Sequence, residues 1–428
     1  MTRSNVTHTT RQKLAAVALS LVPGAIGLNA VATNTAQAAP ATTIKLYNDK
    51  GAWDKYFAAV GNLAKKDIGV AVQPVGYTNE DTYDALIDAS FRTHIKPNVF
   101  TWHTGAQLQE VVKQGDLAST SSIWKQGIAD GDLTTGVEKY YTVDGRQYCV
   151  PLYVSYYVMY YNKDIFAKYH LAPPSTWAEL LQVAKTLKQH GVTPFYATDV
   201  LFSFLWFEQL LVGSNPTLYN NLESGKASYL SPGVVAVMKE WRTLIDDGYF
   251  TNPAITTAPQ VLLKTGAVAM EPWGTWFTGN MKLVDAPPSS YGMFVIPPEN
   301  THLAKVPMIF ETGPICVPTG APDMSADMKF LKWWTTPAPE SYWASVTSDT
   351  GADPKAAAPS ASIAAIDKYA SGPKVQVVNR YYEATPAPIL NTALSELGAF
   401  MVNPNSYMSD LKTIQATAAQ YWSSHSAS

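Results

Sequence analysis

Catalytic motifs, cysteines and runs of like charge are all scarce in this chain of 428 residues. It contains no HExxH, GxSxG, GxxxxGKS or GxxxxGKT motif, so it lacks the usual signatures of zinc proteases, α/β-hydrolases and P-loop nucleotide-binding proteins. Only two cysteines occur, which excludes a disulfide-rich scaffold and a cysteine-rich zinc site. Charged residues make up 15% of the chain without a long basic or acidic run, and this argues against nucleic acid as a partner.

Hydrophobic residues, in contrast, make up 46% of the chain, which is enough for large cores. At roughly 150 residues per domain, the length predicts two or three domains. Aromatic residues are abundant at 12%, and they include twelve tryptophans and twenty-four tyrosines.

The N-terminal segment is typical of a secretory signal peptide. Arg3, Arg11 and Lys13 precede an apolar stretch over 14–32, and Ala36 and Ala38 provide a small-x-small cleavage pattern. The alternative, a membrane anchor, is disfavoured because proline and glycine interrupt a stretch that barely reaches the ~20 apolar residues of a spanning helix.

Cleavage near Ala38 leaves 28 basic against 34 acidic side chains, a net charge of about −6 that argues weakly against nucleic acid and anionic membrane surfaces. No cysteine lies at the cleavage point, so no lipidated N-terminus is indicated. We therefore expect a protein free in the periplasm or secreted.

After the signal segment, short apolar strand patterns alternate with helical patterns up to about residue 115. Strand, helix, strand, helix in this order predicts a parallel sheet with crossover helices. Such sheets bind ligands beyond the carboxyl ends of their strands, so the segments 47–51 and 100–104 are candidates. Asp49 and Lys50 fit either a ligand site or an ordinary helix start, and Trp102 fits either a site or the core.

The two cysteines, Cys149 and Cys316, each adjoin a short apolar segment with a nearby proline, in "QYCVPLYV" and "GPICVPTG". An exported protein meets an oxidising compartment, where a disulfide between them is possible. Two buried free thiols are the alternative, because cysteine is often buried without a partner.

The segment 143–195 resembles the extracellular solute-binding proteins, family 1, of bacterial carbohydrate ABC transporters. The resemblance depends on "GRQYCVP", on "YYNKDIF" and on "PPSTWAELL" at the start of the next helix. Further along, "LLKTGAVAMEPWGTWFTGN" and "TGPICVPTGAPDMSADMKFLKWWTTPAPESYWA" resemble that family's cleft and return segments. The likeness runs in consistent order over nearly all of the chain after residue 38.

The resemblance implies an α/β, two-lobe periplasmic binding protein fold of type II, with mostly parallel sheets joined by a strand hinge. It places the crossings between lobes near 151–155 and 311–314, which makes the two cysteine segments neighbouring strands. The implied division of the chain is a signal peptide at 1–38, an N-terminal lobe of 39–152 plus 314–360, and a C-terminal lobe of 153–313 plus 361–428.

A hinge strand beside a ligand cleft explains the tyrosine-rich stretch "VPLYVSYYVMYYNKDIF", because tyrosine combines an apolar ring with a polar tip. Strand alternation puts Tyr153, Ser155 and Tyr157 on one side, which fits the family's ligand side. Sugars need the same combination of aromatic surface and polar groups. The candidate ligand-binding residues are Asp49, Lys50, Trp102, Tyr153, Ser155, Asp199, Trp206, Trp273, Trp276 and Glu311.

We expect a non-enzymatic, monomeric receptor that binds a sugar or small oligosaccharide and delivers it to a membrane permease of an ABC importer, without cofactor, metal or nucleic acid. One alternative is a secreted glycoside hydrolase, in which Glu271 and Glu311 would supply the two carboxylates. Another is a sugar sensor that presents its ligand to a membrane receptor.

Overall fold

A computed structural model of the chain describes residues 41–425. The predicted signal peptide, residues 1–38, lies outside the described residues, so its cleavage stays a prediction. Within the described range, no helix combines the length and the apolar character that crossing a bilayer requires.

Strands and helices are distributed along the whole described range. The strands are β1 Thr42–Asn48, β2 Val70–Gly76, β3 Val99–Thr101, β4 Thr142–Val143, β5 Arg146–Gln147, β6 Val150–Pro151, β7 Ser155–Asn162, β8 Thr193–Phe195, β9 Val268–Gly274, β10 Tyr291–Phe294, β11 Val306–Glu311, β12 Pro314–Cys316 and β13 Val375–Asn379.

The α-helices connect these strands and cover the sheets. They are α1 Asp54–Ile68, α2 Glu80–Phe91, α3 Gly105–Lys113, α4 Ser121–Asp130, α5 Thr135–Glu138, α6 Lys163–Lys168, α7 Trp177–Gln189, α8 Leu205–Ser214, α9 Pro216–Glu223, α10 Pro232–Asp246, α11 Pro259–Thr265, α12 Phe277–Leu283, α13 Met324–Trp334, α14 Pro337–Thr347, α15 Ala361–Ala370, α16 Tyr381–Ala384, α17 Ala387–Val402 and α18 Tyr407–Ser424.

The first sheet has the strand order β2-β1-β3-β12-β6. β1 runs parallel to β2 and β3, whereas β12 runs antiparallel to β3 and β6. Alternation buries Ile44 and Leu46 of β1 completely. They share a core with α1, α13 and α14, where Phe57 and Trp343 pack with ring centroids 4.7 Å apart. This sheet and its helices form the first lobe.

The second sheet has the order β13-β11-β7-β9-β8, with β10 also paired to β7. β11 is parallel to β13 and β8 to β9, while β7 is antiparallel to β9, β10 and β11. One large core joins this sheet to α7, α8, α10, α17 and α18, and these elements form the second lobe.

The chain crosses from the first sheet to the second between Pro151 and Ser155, and it returns between Glu311 and Pro314. The two crossings lie side by side, because β6 pairs with β12 and β7 pairs with β11. This is the expected two-lobe architecture with a strand hinge. The sheets are mixed and not mostly parallel, since a chain that leaves along one hinge strand returns along its neighbour in the opposite direction.

Cys149 and Cys316 form a disulfide in the first lobe, beside the hinge. Cys149 precedes β6 and Cys316 ends β12, and the pairing of these strands brings the two Cα atoms to 4.1 Å. Both side chains are buried, and the bond spans a sequence separation of 167 residues.

Replacing both cysteines, as Cys149→Ala and Cys316→Ala, is expected to lower the free energy of unfolding by about 2–5 kcal/mol. The cross-link restricts the unfolded chain, and a long loop makes that restriction large. Urea unfolding of the double variant against the parent measures the change. A thiol count on denatured, unreduced protein is the control: two thiols per chain, or an unchanged unfolding midpoint, would contradict the assignment.

Candidate functional site

Asp49 and Lys50 follow β1 at the carboxyl edge of the first sheet. Asp49 Oδ1 accepts a hydrogen bond from Thr101 Oγ1 at 2.6 Å, and Asp49 Oδ2 lies 2.7 Å from Lys50 Nζ. Burial raises the pKa of Asp49, but Lys50 and the hydrogen bonds lower it more, so that pKa lies below its usual value. Both side chains keep some exposure, 12% for Asp49 and 21% for Lys50.

His103 follows β3 and faces two carboxylates of α2. Its Nε2 lies 3.3 Å from Asp84 Oδ2 and 3.8 Å from Glu80 Oε1. Burial lowers the pKa of His103, but Asp84 and then Glu80 outweigh burial and raise it to about 9. His103 is therefore an imidazolium at neutral pH. Its ring is buried, whereas Glu80 and Asp84 are 26% and 29% exposed and have free lone pairs to offer.

Glu311 lies at the end of β11, directly opposite Ser155 in the hinge. Its Oε1 accepts a hydrogen bond from the Tyr153 hydroxyl at 2.8 Å, and its Oε2 accepts one from the Tyr157 hydroxyl at 2.9 Å. The two tyrosines thus approach one carboxylate from the same side of the strand, as alternation predicts.

Arg380 follows the carboxyl end of β13 and completes this network. Its Nη1 forms an ion pair with Glu311 and donates to the Tyr157 hydroxyl at 3.0 Å, while its Nε donates to Glu383 Oε2 at 2.8 Å. Burial lowers the pKa of Arg380, but Glu311 and Glu383 raise it well above its usual value. The guanidinium is a permanent cation held between two carboxylates.

These groups form one continuous set between the two sheets. Lys50 Nζ lies 6.0 Å from the centre of the Tyr153 ring, and the charges of Glu80 and Glu311 act on Lys50. The Tyr382 ring lies 5.8 Å from that of His103. We name this set the cleft cluster: Asp49, Lys50, Glu80, Asp84, His103, Tyr153, Tyr157, Glu311, Arg380, Tyr382 and Glu383.

An aromatic group of the second lobe adjoins the cleft cluster. Trp276 lies 5.6 Å from Trp273 and 6.1 Å from Phe202, measured between ring centroids. The Arg380 guanidinium lies 6.0 Å from the Phe202 ring, which joins the two sets. Trp273 is buried, whereas Trp276 and Phe202 are partly exposed. The name aromatic group refers below to these three residues, Phe202, Trp273 and Trp276.

Ser155 is fully buried behind the aromatic group and positions it. Its Oγ donates to Asp349 Oδ2 at 2.6 Å and accepts from the backbone N–H of Trp276 at 3.1 Å. The Thr275 hydroxyl donates to Asp349 Oδ1, also at 2.6 Å. Burial raises the pKa of Asp349 to about 7, although both hydrogen bonds oppose the rise.

The structure brings most of the predicted site residues together. Four of them fall in the cleft cluster, two in the aromatic group, and Ser155 behind it: Asp49, Lys50, Tyr153, Glu311, Trp273, Trp276 and Ser155.

Three predicted residues are placed differently. Trp206 lies in the core of the second lobe, 2% exposed, with its Nε1 donating to the carbonyl of Tyr196 at 2.9 Å, so we leave it out of the site. Trp102 is 7% exposed and lies beneath His103, at 5.3 Å between rings. The carboxylate of Asp199 has no hydrogen bond or ion pair with the cleft cluster among the described residues, and its role stays a prediction.

Several residues of the cleft cluster escaped the sequence analysis. Arg380, Tyr382 and Glu383 follow the carboxyl end of β13, the kind of position that carries ligand contacts in open α/β sheets, and this position was the available signal. Glu80 and Asp84 lie in the first turns of α2, where acidic residues are common for local reasons.

The arrangement suits recognition of a ligand that has both polar groups and a flat apolar face. Carboxylates and cations can bond to polar groups, and partly exposed rings can pack against an apolar face. In the part of the chain that the structure describes, no group of three or more histidine, cysteine or acidic side chains is arranged to hold a metal ion.

The raised pKa of His103 predicts a pH-dependent stability. The protonated ring is stabilised in the folded protein, so its contribution is complete below the unfolded value of about 6.5 and is lost as pH rises through about 9. The melting temperature of His103→Gln should therefore lie furthest below the parent near pH 6 and approach it above pH 9. The corresponding loss in the free energy of unfolding is at most about 3 kcal/mol. A gap that stays constant across this pH range would contradict the assignment.

Several solved structures share the fold. A bacterial solute receptor named AcbH, described as having an exclusive preference for β-D-galactopyranose, matches with a TM-score of 0.78 and 20% identity, over 89% of this chain and 99% of that chain. A chitin oligosaccharide binding protein matches with a TM-score of 0.74 and 19% identity, over 89% of this chain and 100% of that chain. A solute-binding protein of Thermotoga lettingae bound to α-D-tagatose matches with a TM-score of 0.70 and 16% identity, over 88% of this chain and 100% of that chain.

Curated relatives match over shorter stretches. An uncharacterised ABC transporter extracellular-binding protein of Pyrococcus horikoshii is 28% identical over 215 residues, which is 47% of each chain. The sn-glycerol-3-phosphate-binding periplasmic protein UgpB of Brucella abortus is 26% identical over 195 residues, 42% of this chain and 45% of its own. The chain thus spans about half the length of the curated relatives it matches.

The family comparison covers more of the chain. A family model described as bacterial extracellular solute-binding protein matches residues 58–375, well over half of the sequence. The strands β2 to β12 and the hinge lie within this matched range, as do six of the eleven residues of the cleft cluster. The chain belongs to the bacterial extracellular solute-binding proteins.

Proposed function

We propose that the protein is the solute-binding component of an ABC importer and that it binds a neutral sugar or small oligosaccharide between its lobes. The observation that carries this proposal is the partly exposed aromatic group beside the polar cleft cluster, at the carboxyl edge of the first sheet. Sugar hydroxyls match the carboxylates and cations, and the C–H face of a pyranose matches Trp276 and Phe202. The ligands named for AcbH, for the chitin oligosaccharide binding protein and for the tagatose complex support the carbohydrate class.

The charge of the cleft cluster favours a neutral ligand over an anionic one. It contains three cations against five carboxylates, and each cation already has a carboxylate partner. An added phosphate or carboxylate would meet an excess of negative charge and would have to break an existing ion pair. For this reason we do not extend the ligand of the glycerol-3-phosphate-binding relative to this chain.

Ligand bound in the cleft would touch both lobes and stabilise their closed arrangement, in which the protein delivers its cargo to a membrane permease. We propose a monomer without nucleic acid as a partner, in the periplasm or secreted after cleavage near Ala38. We propose lobes of residues 39–152 plus 314–360 and of residues 153–313 plus 361–428, a proposal supported by the division of most strands between two sheets.

We propose no catalytic activity. A glycosidase needs two carboxylates facing one glycosidic bond, and Glu271 does not suit this role. Its side chain is fully buried in β9, and its Oε2 accepts a hydrogen bond from Trp273 Nε1 at 2.8 Å. Burial raises the pKa of Glu271 well above its usual value, and its side chain belongs to the second-lobe core.

A titration panel tests the ligand class. We expect D-galactose, D-tagatose or chitobiose to produce a saturable change in tryptophan fluorescence, and glucuronate and glycerol 3-phosphate to produce none. The affinity for the neutral sugar should change little with salt, because no net charge is transferred. The sugar should be recovered intact after incubation.

Two results of the panel would overturn the proposal. Binding restricted to anionic compounds, with a steep salt dependence, would indicate that a cation of the cleft cluster is free for the ligand. Recovery of cleaved oligosaccharide would instead indicate a hydrolase.

Trp276→Ala should weaken sugar binding about tenfold or more, since it removes an exposed aromatic contact surface worth at least about 1.4 kcal/mol. The melting temperature should fall only slightly, because the ring is partly exposed. Tyr369→Ala is the matched control, as Tyr369 is 42% exposed on α15 and lies outside the site. Equal affinities of the two variants would remove Trp276 from the site.

A further inference from the structure

A groove lies between the lobes, beside Gly105, Asn379 and Ala384. Its volume is about 590 Å³, within the range of small-ligand sites. The first lobe contributes α3 and Tyr140, and the second contributes α9, the ends of β13 and α16, and the C-terminal turns of α18. We name this space the α3–α18 groove.

A tight contact separates the α3–α18 groove from the cleft cluster. Thr104 Oγ1 donates to Asn379 Oδ1 at 3.3 Å, and a Cβ atom on Gly105 would stand only 2.5 Å from the carbonyl oxygen of Glu383. The two lobes approach so closely here that only glycine fits at position 105. A ligand in the groove is therefore distinct from a ligand in the cleft.

Aromatic rings held in fixed positions form the walls of the groove. The Trp422 indole lies flat against Gly225, where a Cβ atom would stand 2.6 Å from the ring. Tyr421 packs at 4.8 Å from Trp422, and its hydroxyl donates to Glu110 Oε1 at 2.6 Å across the two lobes. Both rings remain partly exposed; one face of Tyr421 stacks on His425 at 4.1 Å between ring centroids, and the Trp422 ring can receive an apolar face.

Polar atoms without partners also line the groove. Asn379 is 4% exposed, and its Nδ2 has no hydrogen-bond partner among the described residues; exchanging the two amide atoms would leave the oxygen unpaired instead. Glu223 Oε2 accepts from the Thr385 hydroxyl at 2.6 Å, while its Oε1 has no partner in the described part of the chain. A buried polar atom without a partner destabilises the fold, and a ligand hydroxyl that reached it would supply the missing hydrogen bond.

We propose that the α3–α18 groove is a second saccharide site. Partly exposed tyrosine and tryptophan rings beside unpaired amide and carboxyl groups match the apolar face and the hydroxyls of a sugar ring. The charged side chains that line the groove, Glu110, Lys113 and Glu223, leave no excess of positive charge for an anionic ligand. The choice of a saccharide rests on the proposed function, whereas the position of the site does not.

Occupation of the groove would favour the closed arrangement of the lobes, because its walls come from both of them. The hydrogen bond between Tyr421 and Glu110 exists only while the lobes are in contact, and a ligand beside it adds contacts of the same kind. The cleft and the groove would thus reinforce each other's ligand affinity.

Isothermal titration calorimetry with D-galactose, D-tagatose and chitobiose tests the proposal. For a sugar that binds, the parent protein should show two sites per chain. Trp422→Ala should weaken one of them about tenfold or more, and it should weaken the other by a smaller factor, because the other site loses only the coupling through lobe closure. Ala106→Met, which fills the groove from α3, should do the same without removing an aromatic ring. Tyr369→Ala should retain both sites.

The outcomes separate this proposal from the proposed function. One site per chain that Trp422→Ala and Ala106→Met leave unchanged overturns the groove and leaves the cleft standing. One site that both groove variants abolish and Trp276→Ala spares supports the groove and overturns the cleft. Absence of binding by every saccharide tested overturns both.

Discussion

The carboxylate of Glu311 connects the hinge, the second lobe and the cleft. It ends a hinge strand, accepts hydrogen bonds from Tyr153 and Tyr157 of the other hinge segment, and forms an ion pair with Arg380. A buried carboxylate is costly unless it is paired, and loss of one partner typically costs about 3–5 kcal/mol. Glu311 therefore fixes the position of each group around it. The ion pair with Glu311 fixes the position of the Arg380 guanidinium on the second-lobe side of the cleft.

The lobes meet through direct contacts as well as through the hinge. Gln107 Nε2 donates to the carbonyl of Tyr382 at 2.9 Å, and the rings of His103 and Tyr382 lie close together. The closed arrangement thus has its own stabilising contacts without a ligand. A solute stabilises it further only by the difference in free energy between its contacts in the closed form and those in the open form. The partly exposed carboxylates Glu80 and Asp84 supply acceptors for that difference.

Local patterns predicted the elements well, and the site in part. The alternation that buries Ile44 and Leu46 is a property of neighbouring residues, so the sequence displays it. The pairing of Arg380 with Glu311 depends on β13 lying beside β11, which no local pattern reveals. Trp206 entered the predicted site because the sequence was interpreted as a loop at this position. It lies instead in α8, where residues 205–213 are all buried in the core.

The disulfide joins residues that are 167 positions apart, and β12 lies between β3 and β6 in the first sheet. The first sheet is consequently incomplete until the entire stretch between the cysteines has emerged from the ribosome or the export channel. Chains fold by domains as they emerge, so the second-lobe strands β7 to β11 are available before the first lobe receives β12. The N-terminal strands of the first lobe are thus made early but complete their sheet late.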